Sequence, residues 1–203
     1  MKELLTMKRV STKQAILATA IDLFNDKGTA AVSTNHIAEA MTISPGNLYY
    51  HFANKEEIIR HIHQQMVDDM DTVWQTGEDR LPALEKFFEA MTALQGMLVN
   101  YRFFQKELSV LLLNDTQLAK AYKKVRKARL KEIEAFFEYL IENGVMRRPQ
   151  DNKTLPRLIR IGWLIGDYWL DFLSIEDQPL NDKNIGEGVD LIREIIRPYL
   201  IEG

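Results

Sequence analysis

The chain has 203 residues, 46% of them hydrophobic, a formal net charge of -3 at pH 7 and no cysteine. That length holds one large domain or a small and a medium one. No apolar run approaches the roughly 18 residues of a membrane span, residues 1–10 lack the pattern of a secretory leader, and disulfides and thiolate metal sites are excluded, so a cytoplasmic protein without a membrane partner is expected.

Apolar residues recur at helical spacing nearly throughout, and β-branched alternation is scarce. The first predicted helix runs from about Ser11 to Lys27, opened by the capping-box pair Ser11 and Gln14 and closed by Gly28. It places Ile16, Ala20, Leu23 and Phe24 on one face. A short second helix follows Ser33 or Thr34, both read as cap residues, and carries Ile37, Ala38 and Met41; Thr42-Ile43 makes a tight turn. Ser44 caps a third helix with Pro45 at its first position. Leu48 and Phe52 sit four apart, which turns both inward. Asn54 with Glu57 caps a longer helix through Ile58, Ile62, Met66, Met70 and Trp74. A break falls at 77–82, and further helices are expected near 82–97, 101–113, 116–142, 155–173 and 183–197, the last ended by Pro198.

The stretch Ile43–Phe52, ISPGNLYYHF, carries the chemistry. A helix that reads a major groove needs an N-terminal end that approaches the sugar-phosphate backbone, an apolar back, and exposed donors or flat side chains. Gly46 removes a side chain where the backbone would come close, Asn47 offers an amide, and Tyr49 and Tyr50 project in different directions. His51 adds a donor and Lys55 a point charge, while the helix starts at Thr34 and Lys55 suit phosphates. The competing reading makes the tyrosines core aromatics, but only one of them can share the Leu48–Phe52 face. Residues 1–60 hold seven basic and six acidic side chains, a balance that neither demands nor forbids nucleic acid.

Over residues 11–60 the chain resembles the N-terminal domain of TetR/AcrR-family transcriptional regulators. The likeness rests on Ile16–Phe24 with Gly28, Ser33-Thr34, Ile37-Ala38, Ser44, the run Gly46–Phe52, and Lys55-Glu56. It implies an all-α protein: a three-helix helix-turn-helix DNA-binding domain at 1–53, joined by a linking helix to a helical ligand-binding and dimerisation domain at 54–203. It implies a homodimer on a palindromic double-stranded DNA operator, released by a small-molecule effector. Carried over by position, Thr34, Ser44, Tyr49, His51 and Lys55 would touch phosphates, and Gly46, Asn47 and Tyr50 would lie nearest bases. Pro45, where relatives often have a polar or basic residue, joins this surface without a contact of its own.

The C-terminal part is less explicit. Met91, Met97, Tyr101, Phe104, Leu111, Trp163, Tyr168 and Trp169 are the candidate pocket residues, with ordinary core packing as the alternative. Lys120, Lys123, Lys124, Lys127 and Lys131 form a stripe, read as a solvated face balanced by Glu132, Glu134 and Glu138. Ile159, Gly162, Trp163, Gly166, Trp169, Leu170 and Leu173, with Ile185, Val189, Ile192 and Ile196, suit either a two-fold four-helix interface or an internal core. No enzyme is expected: His36, His51, His61 and His63 lack metalloprotease spacing, no glycine-rich phosphate loop follows a strand, and no carboxylate pair is placed for acid–base work. No cofactor and no metal are expected either. The rival to a DNA-binding regulator is a helical ligand-binding or scaffold protein, which leaves Ser44–Lys55 as coincidence.

Overall fold

The computed structural model describes residues 11–74 and 84–201, and these are helical apart from turns, loops and one isolated β-bridge. The chain divides into two compact units, Met1–Gln64 and Gln65–Gly203. No helix among the described residues is long and apolar enough to cross a membrane.

In the first unit, α1 (Thr12–Lys27) opens on the expected capping box, with Ser11 Oγ accepting from Gln14 N–H. It ends at Gly28, whose φ of 77° is left-handed. Ile16, Ala20 and Phe24 are fully buried, joined by Leu17 and Ile21 rather than by Leu23. Helix α2 (Thr34–Ala40) is capped by Ser33, not Thr34; His36 returns the bond by accepting from Ser33 N–H at 3.3 Å. Thr42 turns the chain at φ 56°, a strained position for a β-branched residue. Helix α3 (Pro45–His51) follows, capped by Ser44 and backed by buried Leu48 and Phe52. Helix α2 packs against both α1 and α3.

Helix α4 (Lys55–Trp74) is continuous across the division between the units. A boundary at 53/54 is the expectation, yet the first turns of α4 cluster with the N-terminal unit. Ile58, Ile59 and Ile62 are buried there. Lys55 Nζ donates to Thr29 O at 2.5 Å and Val32 O at 3.0 Å, fastening the loop after α1. Lys13 Nζ donates to His61 Nε2 at 2.9 Å and lies 5.2 Å from the centre of the Phe52 ring. His61 Nδ1 can then donate to Glu57 O at 3.0 Å, so a single neutral tautomer satisfies both contacts. Asn54 Oδ1 accepts from Glu57 N–H at 2.8 Å, the expected cap.

The second unit contains α5 (Leu84–Leu98), α6 (Arg102–Lys106), α7 (Leu108–Asn114), α8 (Thr116–Glu142), α9 (Thr154–Ile175) and α10 (Asp182–Ile196). The break expected at 77–82 lies outside the described residues. The single helix expected at 101–113 is interrupted. A 3-10 turn at Val99–Tyr101 precedes α6, and Glu107, at φ -106° and ψ 7°, separates α6 from α7. Tyr101 accounts for the first departure: its buried hydroxyl donates to Asp69 Oδ2 at 2.5 Å and accepts from Gln65 Nε2 at 3.0 Å. Phe87 stacks on Phe136 at 4.3 Å within a core that includes Phe88, Phe137, Leu140 and Ile159. Helix α10 packs against α5 and α9. An antiparallel bridge between Met146 and Leu200 ties the α8–α9 connection to the chain after α10.

The glycines of α10 yield a paired prediction. A Cβ at Gly188 would stand 2.5 Å from the Trp169 ring, whereas one at Gly186 would meet nothing within 4 Å. Gly188→Ala should therefore cost about 1–3 kcal/mol and Gly186→Ala should gain up to about 1 kcal/mol, read as opposite shifts in thermal midpoint; shifts of the same sign would contradict this packing. Lys55→Met should cost about 1–3 kcal/mol in urea unfolding, because two carbonyls lose their donor; an unchanged midpoint would mean the Lys55 bonds carry no stability.

Candidate nucleic-acid interface and effector cavity

Helix α3 is divided lengthwise. Leu48 is buried, while Tyr49 is 50% and Tyr50 85% exposed, so neither tyrosine belongs to the core. Asn47, Pro45 and Gly46 are also exposed, and His51 is half-buried with its ring edge-on to Tyr50 at 5.1 Å. A Cβ at Gly46 would meet only Ser44 Oγ, at 3.9 Å. An added side chain at Gly46 therefore meets no steric bar from the described residues.

The polar groups around α3 are held in place. Ser44 Oγ accepts from Asn47 N–H at 3.2 Å, so its own proton stays available for donation. Thr34 Oγ1 and Tyr49 OH share a hydrogen bond at 3.0 Å, which brings the start of α2 and the side of α3 into one hydroxyl cluster. Lys55, expected to add a point charge near phosphates, has two of its three N–H donors on the Thr29 and Val32 carbonyls. Sequence reasoning missed that clamp because carbonyl positions in a loop leave no residue-type signal.

The lysine stripe of α8 is exposed at all five positions. Two of the three acidic residues expected to balance it are engaged elsewhere: Glu132 pairs with Arg129 at 2.7 Å and Glu138 with Arg148 at 2.6 Å.

The C-terminal unit contains a cavity of about 310 Å³. Of the eight candidate pocket residues, only Met91 and Trp163 line it. Tyr101 is held by Asp69 and Gln65, and Phe104 and Leu111 are buried in the core. Met97 is half-buried away from the cavity, and Tyr168 is 55% exposed. Trp169 donates to Asn184 O at 2.8 Å and stacks on Phe172 at 5.3 Å. Aromatic type alone did not separate these roles; position around each helix did. The cavity also has polar lining that sequence reasoning passed over, namely Gln95, Gln105, Arg129, Glu132 and Asp167. Asp167 accepts from Trp163 Nε1 at 2.6 Å, and burial pushes its carboxyl above the usual carboxylate range.

The expected α9 residues are largely internal. Ile159, Leu170 and Leu173 are buried, and Gly162, Trp163 and Gly166 line the cavity. Gly162 admits Ile192 of α10, whose side chain would lie 3.5 Å from an added Cβ. The apolar side chains that α9 leaves exposed are others: Ile161, Leu164, Tyr168, Phe172 and Ile175.

Two family models match this chain. Residues 16–62 fit the model described as "Bacterial regulatory proteins, tetR family", and residues 65–203 fit "TetR: Bacterial transcriptional repressor". A TetR-family transcriptional regulator from Marinobacter aquaeolei VT8 superposes with a TM-score of 0.83 at 33% identity, covering 94% of this chain and 92% of that one. The probable HTH-type transcriptional regulator YttP of Bacillus subtilis is 21% identical over 152 residues, 74% of this chain and 73% of that protein. The negative transcriptional regulator IcaR of Staphylococcus epidermidis is 42% identical over a shorter stretch of 48 residues, 24% of this chain and 26% of that protein. The exposed polar face of α3 and the family matches that follow one another along both units converge: the chain belongs to the TetR family of DNA-binding bacterial transcriptional regulators and is not an enzyme.

Proposed function

We propose that this chain is a ligand-released repressor that binds a palindromic operator as a homodimer in the cytoplasm. The observation that carries the DNA-binding part is the 85% exposure of Tyr50 on a helix whose Leu48 is buried. In this reading Gly46, Asn47 and Tyr50 face base edges. The Thr34–Tyr49 hydroxyl cluster, Ser44, His51 and the remaining N–H of Lys55 take phosphates, and Pro45 flanks them without a contact. Two such helices in a dimer enter successive major grooves about 34 Å apart. Repression, rather than activation, is supported by the naming of the relative IcaR as a negative regulator.

The dimer partner covers α9. Ile161, Leu164, Tyr168, Phe172 and Ile175 recur at intervals of three and four, which lays one apolar seam along the helix, and Leu191 of α10 is also exposed. In this reading the residues first considered for a two-fold interface serve mostly the core and the cavity lining, and the opposite, exposed face of α9 takes the partner.

The effector occupies the cavity of the C-terminal unit. Helix α4 is the proposed coupling element, because Lys55 stands at its first residue and Met70 lines the cavity on the same uninterrupted helix. An effector shifts the equilibrium only by binding one helix position better than the other.

On an operator recovered from random duplex DNA, Tyr50→Ala should cost about 1–3 kcal/mol of affinity with an unchanged melting temperature; fluorescence anisotropy at constant salt reads it, and wild-type affinity in the variant would remove α3 from the interface. Light scattering at micromolar concentration should give a dimer for the wild type and a monomer for Leu164→Glu; a monomeric wild type, or a dimer untouched by the charge, would remove the α9 seam.

A further inference from the structure

We infer that the effector is an uncharged, mostly apolar molecule carrying a hydroxyl or amide N–H that donates to Gln95 Oε1. This rests on the proposal that the cavity is the effector site, and it adds the chemical class.

The walls set the apolar part. Phe87, Met91, Phe136, Phe137, Ile159 and Trp163 surround most of the space. A cavity so lined rewards carbon and penalises a solvated charge.

Arg129 and Glu132 are already matched with each other, and the buried Asp167 carboxyl already has a hydrogen-bond donor. Arg129 is the basic residue of the lining; its guanidinium pairs with Asp71 and, at 2.7 Å, with Glu132. The Asp167 carboxylate has the Trp163 indole N–H at 2.6 Å and the favourable charge of Arg126, whose guanidinium lies 5.4 Å from the Trp163 ring centre. An anionic ligand would meet Glu132 and Asp167 with the guanidinium already engaged. A cationic ligand would have to compete with Arg129 and Arg126 for the same carboxylates. An anion would lose its hydration without an unclaimed counter-charge to replace it, and a cation would have to displace the Trp163 N–H that Asp167 already holds.

Gln95 sets the polar part. The side chain is 6% exposed and lines the cavity. Its Nε2 donates to Gly166 O at 3.0 Å, which fixes the amide orientation and assigns Oε1 as the acceptor. Among the described residues no donor reaches that buried oxygen, nor Gln105 Oε1 on the same lining. Buried carbonyl oxygens are normally satisfied. Helix α9 comes close at this point, since an added Cβ at Gly166 would lie 3.3 Å from Gln95 Nε2, and that packing holds the amide still. The lining also includes a buried donor without an acceptor, Arg129 Nε. A hydroxyl both donates and accepts, so it suits this mixture without adding charge.

The test uses four probes that share one alkyl chain: 1-decanol, its methyl ether, decanoate and decyltrimethylammonium. Isothermal titration calorimetry on the full-length dimer reads binding, and displacement from a labelled operator duplex reads release. The alcohol should bind about tenfold tighter than its ether, the effect of one hydrogen bond to a buried acceptor, and tighter than either ion. Gln95→Leu should bring alcohol and ether to equal affinity while leaving the ether unchanged; if that variant fails to fold, the melting curve of Gln95→Met identifies a usable replacement for the same comparison. Stronger binding of either ion, or an alcohol preference that survives loss of the Gln95 amide, would overturn the inference and leave the effector reading standing. Alcohol binding with the expected preference but without operator release would uphold the ligand class and sink the effector reading. Failure of all four to bind would overturn both.

Discussion

A seven-residue helix has too few internal hydrogen bonds to persist alone in water, so α3 depends on what holds its back. Leu48 and Phe52 supply that hold, four residues apart and buried in the N-terminal unit. Ser44 closes the front by accepting a backbone N–H, and Pro45 begins the helix where no N–H is needed. With one side anchored, the other side can show tyrosines to solvent without costing the fold its order. Lys13, stacked over Phe52 and bonded to His61, links this anchor to α1 and α4. The proposed contact with DNA depends on this lengthwise division of one short helix.

The C-terminal unit solves a different problem. Its core holds several helices together and still leaves a cavity. The Phe87–Phe136 stack and the α5–α10 and α9–α10 contacts supply the first. The second arises where glycines and amides replace bulk: Gly162, Gly166 and Gln95 border the cavity. The polar atoms left there are not scattered. They are the Arg129–Glu132 pair, the Asp167 carboxyl bonded to Trp163, and, among the described residues, two amide oxygens and one guanidinium N–H without partners between apolar walls; as the proposed effector site, this arrangement would select by hydrogen bonding rather than by charge.

Helix starts, stops and the α3 back face were legible in the sequence because they depend on local spacing. Ser11 with Gln14, Asn54 with Glu57, and Leu48 with Phe52 all act within one or two helical turns. What sequence missed acts across long separations. Lys55 reaches loop carbonyls more than twenty residues away, and Tyr101 reaches α4 at Asp69. The pocket residues show the same limit. Tyr168 and Trp163 are both aromatic residues of α9, yet a turn of the helix puts one on the surface and one beside the cavity. Amphipathic periodicity finds an apolar face, but it cannot say whether a partner helix, a second subunit or an empty space lies against it.

In the proposed complex the outward face of α3 meets the grooves of duplex DNA. A photoreactive benzophenone side chain placed at position 50, and separately at position 124 on the exposed face of α8, tests it at the residue itself. A crosslink should form from position 50 to bases of the bound duplex, at a yield well above that from position 124. Bound DNA that crosslinks from position 124 but not from position 50 would contradict it.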